Sequence, residues 1–128
     1  MHDDDFFYNS KYVKELTEDN FDGDNLINKE CSIVMFYCSW CMHCQNLKGI
    51  WENLGKIATY FNVYAFNCTD GKLSEKRIYK INSFPTIIIY IGSKPHIYEG
   101  ERTLKSFVQE TMNVCNIKNH KTNKNVRR

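Results

Sequence analysis

The stretch SIVMFYCSWCMHC, residues 32–44, decides how this sequence folds. Its first part, residues 32–37, is an uninterrupted apolar, β-branched and aromatic run, which is typical of a strand buried on both faces of a sheet. Apolar residues then recur every three or four positions over residues 47–61, which predicts an amphipathic helix beginning around Cys41. A buried strand and a helix therefore meet at Cys41 and Cys44.

Further elements are predicted on both sides of this junction. Upstream, the pattern predicts a short strand and then a capped helix from Thr17 to near Asn28. Downstream, it predicts a strand over 62–67, a short helix over 72–80, a strand over 86–90, a strand over 96–98 and a final helix from Thr103. The order is β-α-β-α-β-α-β-β-α, one α/β domain in which helical crossovers join parallel strands.

Length, composition and charge are those of an ordinary globular protein. The 128 residues fit one domain, predicted over 11–117 between an N-terminal tail, 1–10, and a basic C-terminal tail, 118–128. A net charge of +2 indicates no nucleic-acid partner. No segment has the roughly 18 uninterrupted apolar residues of a membrane span, and the first residues lack the apolar core of a signal peptide. As written, the chain is expected to be a soluble, uncleaved monomer.

Cys41 and Cys44 carry the predicted chemistry. Two cysteines separated by two residues at the start of a helix can close a small disulfide ring, with the first sulfur outward and the second turned in. The unpaired N–H groups and the positive end of the helix dipole lower the pKa of the first thiol, which makes it both a nucleophile and a leaving group. His43 can carry positive charge beside the sulfurs, which should make the disulfide more oxidising.

Two metal-binding interpretations use the same cysteines. A Cys-x-x-Cys can be half of a zinc site, but no second pair of ligands with zinc spacing follows. Cys38, Cys41 and Cys44 also resemble the opening of an iron–sulfur ligand run, but Lys48 stands where the fourth cysteine is expected. We therefore predict neither a metal nor a cofactor.

The other cysteines are less informative. Cys38, three residues before Cys41, is interpreted as a small buried strand residue, with a third redox thiol as the sharper alternative. Six cysteines are too few and too irregular for a disulfide scaffold, so the remaining ones are interpreted as structural or incidental: Cys31, Cys68 and Cys115.

Pro85 marks a bend before the predicted strand that starts at Thr86. A proline there costs a ladder hydrogen bond unless it has a specific use, and a cis peptide bond is one such use. Trans is the default, but a Cys-x-x-Cys in the same chain favours cis.

These residues together resemble the thioredoxin superfamily and, within it, the active domains of protein disulfide isomerases, from about Val13 to about Asn113. Residues 34–37 and 40–44 resemble the family's central strand and its Trp-Cys-Gly-His-Cys motif. Residues 83–86 resemble its cis-proline loop, and residues 100–102 fall where these domains carry an arginine near the active site.

The resemblance implies the thioredoxin fold and a function. The backbone around Phe84 and Pro85 would hold an extended client strand beside Cys41, and Arg102 would help Cys44 lose its proton. The implied activity is oxidation, reduction or isomerisation of disulfides in cysteine-containing protein clients, with Cys41 attacking and Cys44 resolving. The remaining implied roles are tuning by His43 and client contact by Trp40.

Partners and location also follow from the resemblance alone. The expected redox partner is glutathione or a dedicated oxidase or reductase, and the expected location is the endoplasmic reticulum or another secretory compartment. A non-catalytic client-binding module of the same fold is the alternative.

The chain departs from the family pattern in ways that bear on turnover. Met35 stands where the family usually has a buried acid that shuttles protons for the second cysteine, and Phe66 stands at the lysine that often faces it. Losing both avoids one unmatched buried charge. Proton transfer to and from Cys44 would then use hydroxide, water, His43 or a client group, so slower turnover is expected. Gly49 replaces a proline at which the active-site helix commonly kinks.

Overall fold

Five strands form one mixed sheet in the computed structural model, which describes residues 5–69 and 81–117. The sheet order is β1-β5-β4-β6-β7, and β2 and β3 pair separately. In chain order the elements are β1 Lys14–Glu15, β2 Phe21–Asp22, β3 Asn25–Leu26, β4 Ser32–Tyr37, α1 Met42–Ile57, β5 Asn62–Asn67, β6 Thr86–Ile91, β7 Lys94–Ile97 and α2 Leu104–Val114.

Strand β4 lies at the centre of the sheet, as its apolar sequence predicts. All six of its residues are buried. It pairs in parallel with β5 and antiparallel with β6, so its carboxyl end meets the amino end of β6. The predicted strands 62–67 and 86–90 are confirmed as β5 and β6, and this arrangement brings Cys41 close to Pro85.

The two faces of the sheet carry separate apolar clusters. One face is covered by α1 and α2, where Trp51 and Phe107 meet edge to face with ring centroids 5.1 Å apart. The other face is covered by Phe21 and Leu26 of the β2–β3 hairpin. The buried positions of α1 repeat every three or four residues, so the predicted amphipathic helix is confirmed: Cys44, Leu47, Trp51 and Leu54.

The predicted helix from Thr17 to Asn28 is wrong. A three-residue 3-10 helix, Glu18–Asn20, is followed at once by the β2–β3 hairpin. The Asn20 side chain accepts a hydrogen bond from the Thr17 backbone N–H at 2.8 Å. The capping signal in the sequence is therefore real, but the helix that it begins is only one turn long. Gly23 then takes a φ of 62° in the hairpin turn, which a helix would not allow.

The predicted N-terminal tail does not hold for residues 5–10. Phe7 is 2% exposed, and the ring of Phe6 stacks on Tyr37 with centroids 4.3 Å apart. The Phe6 N–H donates to the Tyr37 hydroxyl at 2.8 Å, and that hydroxyl donates to the Glu15 carboxylate. The two phenylalanines thus dock the segment on the domain. Residues 1–4, the predicted helix 72–80 and the predicted tail 118–128 lie outside the described residues.

A disulfide that the sequence analysis did not predict joins Cys31 and Cys115. The bond connects the residue before β4 to the residue after α2, with the Cα atoms 6.0 Å apart and a sequence separation of 84. Sequence alone could not pair these cysteines, because their proximity depends on how α2 packs on the sheet. Among the described residues, neither helix is long and apolar enough to cross a membrane.

Candidate active site

Cys41 lies at the N-terminus of α1, where β4 turns into the helix. It is the N-cap residue with extended backbone angles, φ −85° and ψ 124°, and the helix begins at Met42. The Cys41 N–H donates to the Cys38 carbonyl at 3.2 Å, and the Cys41 carbonyl accepts the Gln45 N–H at 3.0 Å. The sulfur therefore lies at the end of the helix where N–H groups have no partner within the helix. The predicted placement of the Cys-x-x-Cys is confirmed.

The two thiols of this motif have opposite electrostatic environments. Burial acts to raise the pKa of the Cys41 thiol, but the net shift is downward. The pKa is lowered by hydrogen bonds from the backbone and the thiol of Cys44, by the backbone of His43 and by the charge of Arg102. Burial raises the pKa of the Cys44 thiol to about 12, and the nearby sulfurs of Cys41 and Cys38 add to the rise. Cys41 is half-buried and Cys44 fully buried, so only Cys41 is accessible.

The loop before β6 lies directly against Cys41. The Phe84–Pro85 peptide bond is cis, as the sequence analysis favoured. The Cys41 thiol donates to the Phe84 carbonyl with 3.5 Å between sulfur and oxygen. The Thr86 hydroxyl donates to the Ser83 carbonyl at 2.7 Å and closes the loop. Pro85 is buried and Phe84 is half-buried, so the backbone and the Phe84 ring form one wall of the site.

Arg102 reaches the same loop from the segment before α2. Its guanidinium donates to the Pro85 carbonyl at 3.5 Å, and its charge contributes to the lowered pKa of Cys41. The family resemblance implied a role toward Cys44. Arg102 is not among the groups that shift the pKa of Cys44.

Large exposed apolar side chains flank the accessible sulfur. Trp40 is 68% exposed and Met42 is 65% exposed, on either side of Cys41 in the chain. His43 is also exposed, in the first turn of α1, and it acts on Cys41 through its backbone. The predicted client-contact residues Trp40 and Phe84 thus lie at the site, and Met42 is a further apolar residue there that the sequence analysis did not assign to it.

The two positions of the missing charged pair do not face each other. Met35 is fully buried on the sheet face that carries Cys44, and it is in register with Ala65. Phe66 lies on the opposite face, where its ring centroid is 5.7 Å from that of Phe36. The expectation that these side chains oppose each other is therefore wrong for this chain. Within the described residues, no carboxylate is among the groups that shift the pKa of Cys44.

Cys38 and Cys68 are buried next to this site. Burial raises the pKa of the Cys38 thiol to about 11, with a further contribution from Cys41. From the sequence, a third redox thiol was the alternative interpretation of Cys38, and Cys68 had no assigned role. Over residues 5–69 and 81–117, no group of three or more His, Cys, Asp or Glu side chains is arranged to hold a metal ion.

Comparison with known proteins agrees with this geometry. The family model described as Thioredoxin matches residues 12–113. The chain belongs to the thioredoxin family. Within that family it is similar to protein disulfide isomerases, which confirms the resemblance seen in the sequence, and its fold is the predicted thioredoxin fold.

Two curated relatives show the extent of the similarity. The chain is 34% identical over 101 residues to "Protein disulfide-isomerase like 2-2" of Arabidopsis thaliana, covering 78% of this chain and 23% of the relative. It is 33% identical over 114 residues to human "Protein disulfide-isomerase A6", covering 81% and 25%. The chain thus spans about a quarter of the length of these relatives. Among solved structures, the J-Trx1 fragment of ERdj5 matches with a TM-score of 0.70 and 28% identity, over 83% of this chain and 51% of the fragment.

Proposed function

We propose that this domain catalyses thiol–disulfide exchange on protein clients, as an oxidoreductase or isomerase. The observation that carries the proposal is the asymmetry between the two thiols: Cys41 is accessible with a lowered pKa, and Cys44 is buried with a raised one. A low pKa favours the thiolate, which is the attacking species and also the better leaving group. Similarity to protein disulfide isomerases supports the same assignment.

The proposed reaction has two exchange steps. The Cys41 thiolate attacks one sulfur of a client disulfide, the client disulfide breaks, and the second client sulfur leaves as a thiolate. Cys44 then loses its proton and attacks the Cys41 sulfur, which closes the Cys41–Cys44 disulfide and releases the first client sulfur as a thiolate. Oxidation of a client dithiol is the reverse sequence, and isomerisation ends after a second client thiolate has displaced Cys41.

Client binding is assigned to the apolar surface around the accessible sulfur. Trp40 and Met42 project from the start of α1, and Phe84 lines the facing loop. Unfolded clients expose apolar side chains, so this surface suits extended segments better than folded ones. Arg102 is proposed to hold the loop through the Pro85 carbonyl and to stabilise the Cys41 thiolate, in addition to the role toward Cys44 that the family implies.

The second step is expected to be slow. A thiol with a pKa of about 12 is ionised in only about one molecule in 10⁵ at pH 7. Met35 offers no carboxylate to accept the proton. The same observation favours a second candidate function, a client-binding module that holds clients as long-lived mixed disulfides.

Insulin reduction and refolding of scrambled ribonuclease distinguish these functions. Cys41→Ser is expected to abolish both activities, and retention of wild-type rates in that variant would refute the enzyme. Cys44→Ser is the matched control, because it keeps the attacking thiol and should accumulate mixed disulfides with clients. If the wild type turned over neither substrate but bound unfolded clients, the client-binding module would be the correct function.

An oxidising compartment is the proposed location. Structural disulfides such as Cys31–Cys115 persist in secreted proteins and in the endoplasmic reticulum and are rare in the cytosol. Glutathione, or a dedicated oxidase or reductase, is the proposed redox partner.

A further inference from the structure

Cys38 and Cys68 occupy matching positions at the carboxyl ends of two neighbouring parallel strands. The last pair of the β4–β5 ladder is Tyr37 with Asn67, so the next residues in register are Cys38 and Cys68. The Cys68 N–H donates to the Tyr37 carbonyl at 2.7 Å, which continues the parallel hydrogen-bond pattern beyond the strand ends. The two cysteines are therefore neighbours across the sheet despite their distance in sequence.

Their side chains point to the same face. Side chains alternate along a strand, so Cys38 shares a face with Phe36, and Cys68 shares one with Phe66. The rings of Phe36 and Phe66, which are in register two positions earlier, are stacked on each other. Cys38 and Cys68 are 2% and 4% exposed and belong to the same apolar cluster.

The spacing of such a pair suits a disulfide. Adjacent strands lie about 4.8 Å apart, which falls within the roughly 4.4–6.8 Å between Cα atoms that disulfides span. Both cysteines are outside the Cys31–Cys115 bond. Rotation of the side chains alone could therefore bring the sulfurs of Cys38 and Cys68 together.

Cys38 also adjoins the redox site. Its carbonyl accepts the Cys41 N–H at 3.2 Å, and its backbone forms a hydrogen bond with the Cys44 sulfur. The Cys41 sulfur acts electrostatically on Cys38, and the Cys38 sulfur acts on Cys44. Cys38 follows the last residue of β4, at the edge of the sheet where Cys41 packs against the apolar clusters of both faces. Cys38 thus adjoins both the redox pair and Cys68.

We propose that Cys38 and Cys68 are a second dithiol that takes over the disulfide from Cys41 and Cys44. This inference rests on the proposed exchange chemistry of Cys41 and deepens it. The Cys38 thiolate attacks the Cys44 sulfur, the Cys41–Cys44 bond breaks, and Cys41 leaves as a thiolate. The Cys68 thiolate then attacks the Cys38 sulfur, which forms the Cys38–Cys68 bond and releases Cys44.

The transfer balances without an external reagent. Cys38 and Cys68 together lose two electrons and two protons, and the Cys41–Cys44 disulfide gains the two electrons. Cys44 takes up one proton, and the other passes to solvent because Cys41 remains a thiolate. Attack at Cys44 is favoured because Cys41 is the better leaving group.

The consequence is a domain whose reactive sulfur returns to the reduced form without a client or a reductase. An oxidised domain can only donate its disulfide, whereas a domain with Cys41 reduced can attack client disulfides. Because burial raises the pKa of the Cys38 thiol to about 11, the transfer should be slow relative to exchange at Cys41. The second dithiol would act between catalytic cycles rather than within each one.

Peptide mapping of the whole chain tests the transfer. Oxidised glutathione is used to form the Cys41–Cys44 disulfide and is then removed; samples are quenched with acid over time, alkylated and digested with trypsin. Cleavage after Lys29 and Lys48 gives peptide 30–48, in which Cys31 remains bonded to the Cys115 peptide in every sample. Peptide 30–48 also holds Cys38, Cys41 and Cys44, and peptide 57–72 holds Cys68, so the transfer would connect peptide 30–48 to peptide 57–72. The expected result is a link between these peptides that grows as the Cys41–Cys44 disulfide within the first peptide declines, with fragment ions that assign the link to Cys38.

Matched variants make the outcome decisive. Cys38→Ala and Cys68→Ala should each form the Cys41–Cys44 disulfide normally and fail to form the link. The proposal is overturned if the Cys41–Cys44 disulfide persists undiminished in the wild type or if the link involves Cys44 instead of Cys38. It is also overturned if a double variant, Cys41→Ser with Cys44→Ser, acquires the link from oxidised glutathione as fast as the wild type. Formation of the Cys41–Cys44 disulfide and its transfer to Cys38 and Cys68 are both measured without a client. A failure to turn over clients would therefore count against the proposed function alone.

Discussion

Replacing Cys31 and Cys115 together with serine should lower the free energy of unfolding by about 4.6 kcal/mol. The disulfide closes a long loop of the chain, because its two cysteines are separated by 84 positions in the sequence. In the chain-entropy treatment, closing such a loop removes about 15 cal/mol/K from the unfolded ensemble, or about 4.6 kcal/mol at 25 °C. Total stabilities of domains are about 5–15 kcal/mol, so this one bond would supply a large share.

Urea denaturation measures this change. The buried Trp51 provides a fluorescence signal for unfolding. With an m-value of about 1.5 kcal/mol/M, the midpoint should fall by about 3 M. The comparison is best made with Cys41→Ser and Cys44→Ser in both proteins, so that a reductant no longer acts on the redox pair.

Reduction provides the internal control. Dithiothreitol should lower the midpoint of the protein that retains Cys31 and Cys115 to that of the serine variant, and it should leave the variant itself unchanged. Equal midpoints for the two oxidised proteins would refute the reasoning, because the bond would then impose no constraint on the unfolded chain.

Four further outcomes are expected. Gly55→Ala should destabilise the domain by about 1–3 kcal/mol in urea denaturation, because a Cβ there would overlap the Tyr12 backbone carbonyl. Gly49→Ala on the same helix meets no atom within 4 Å and should stabilise by up to about 1 kcal/mol; equal effects of the two changes would contradict this account. Iodoacetamide should alkylate Cys41 with a rate that rises with pH and levels off at lower pH than for an ordinary cysteine, because its pKa is lowered. Arg102→Ala should shift this pH profile to higher pH, because the charge of Arg102 lowers the pKa of Cys41. An unchanged profile would show that Arg102 does not stabilise the Cys41 thiolate.

The elements that were predicted correctly are those whose structure depends on the pattern of their own residues along the chain. Strand β4 is continuously apolar because both of its faces are covered, and α1 shows its buried stripe directly in the spacing of Leu47, Trp51 and Leu54. The cis bond at Pro85 was predictable only in combination with Cys41, since neither feature alone indicates it. The chemistry of the site therefore followed from a short local motif and one distant bend.

The predictions that failed depend on contacts between distant residues. The capping signal at Thr17 does not show where a helix ends; Phe21 and Leu26 are five residues apart and reach the core as paired hairpin strands. The bond between Cys31 and Cys115 and the register of Cys38 with Cys68 both require knowledge of how the strands and helices pack together. Sequence periodicity contains no such information.

The docked segment at residues 5–10 determines where the N-terminal boundary of the folded domain lies. The family model begins at residue 12, so a protein cut at that boundary would lack Phe6 and Phe7. Burial of Phe7 alone is worth about 1.5–3 kcal/mol, and the Tyr37 hydroxyl would lose a hydrogen bond with the backbone of Phe6. A boundary drawn from sequence similarity would therefore pass through the core, and an excised domain would have to start before Phe6 to keep the stability of the intact fold.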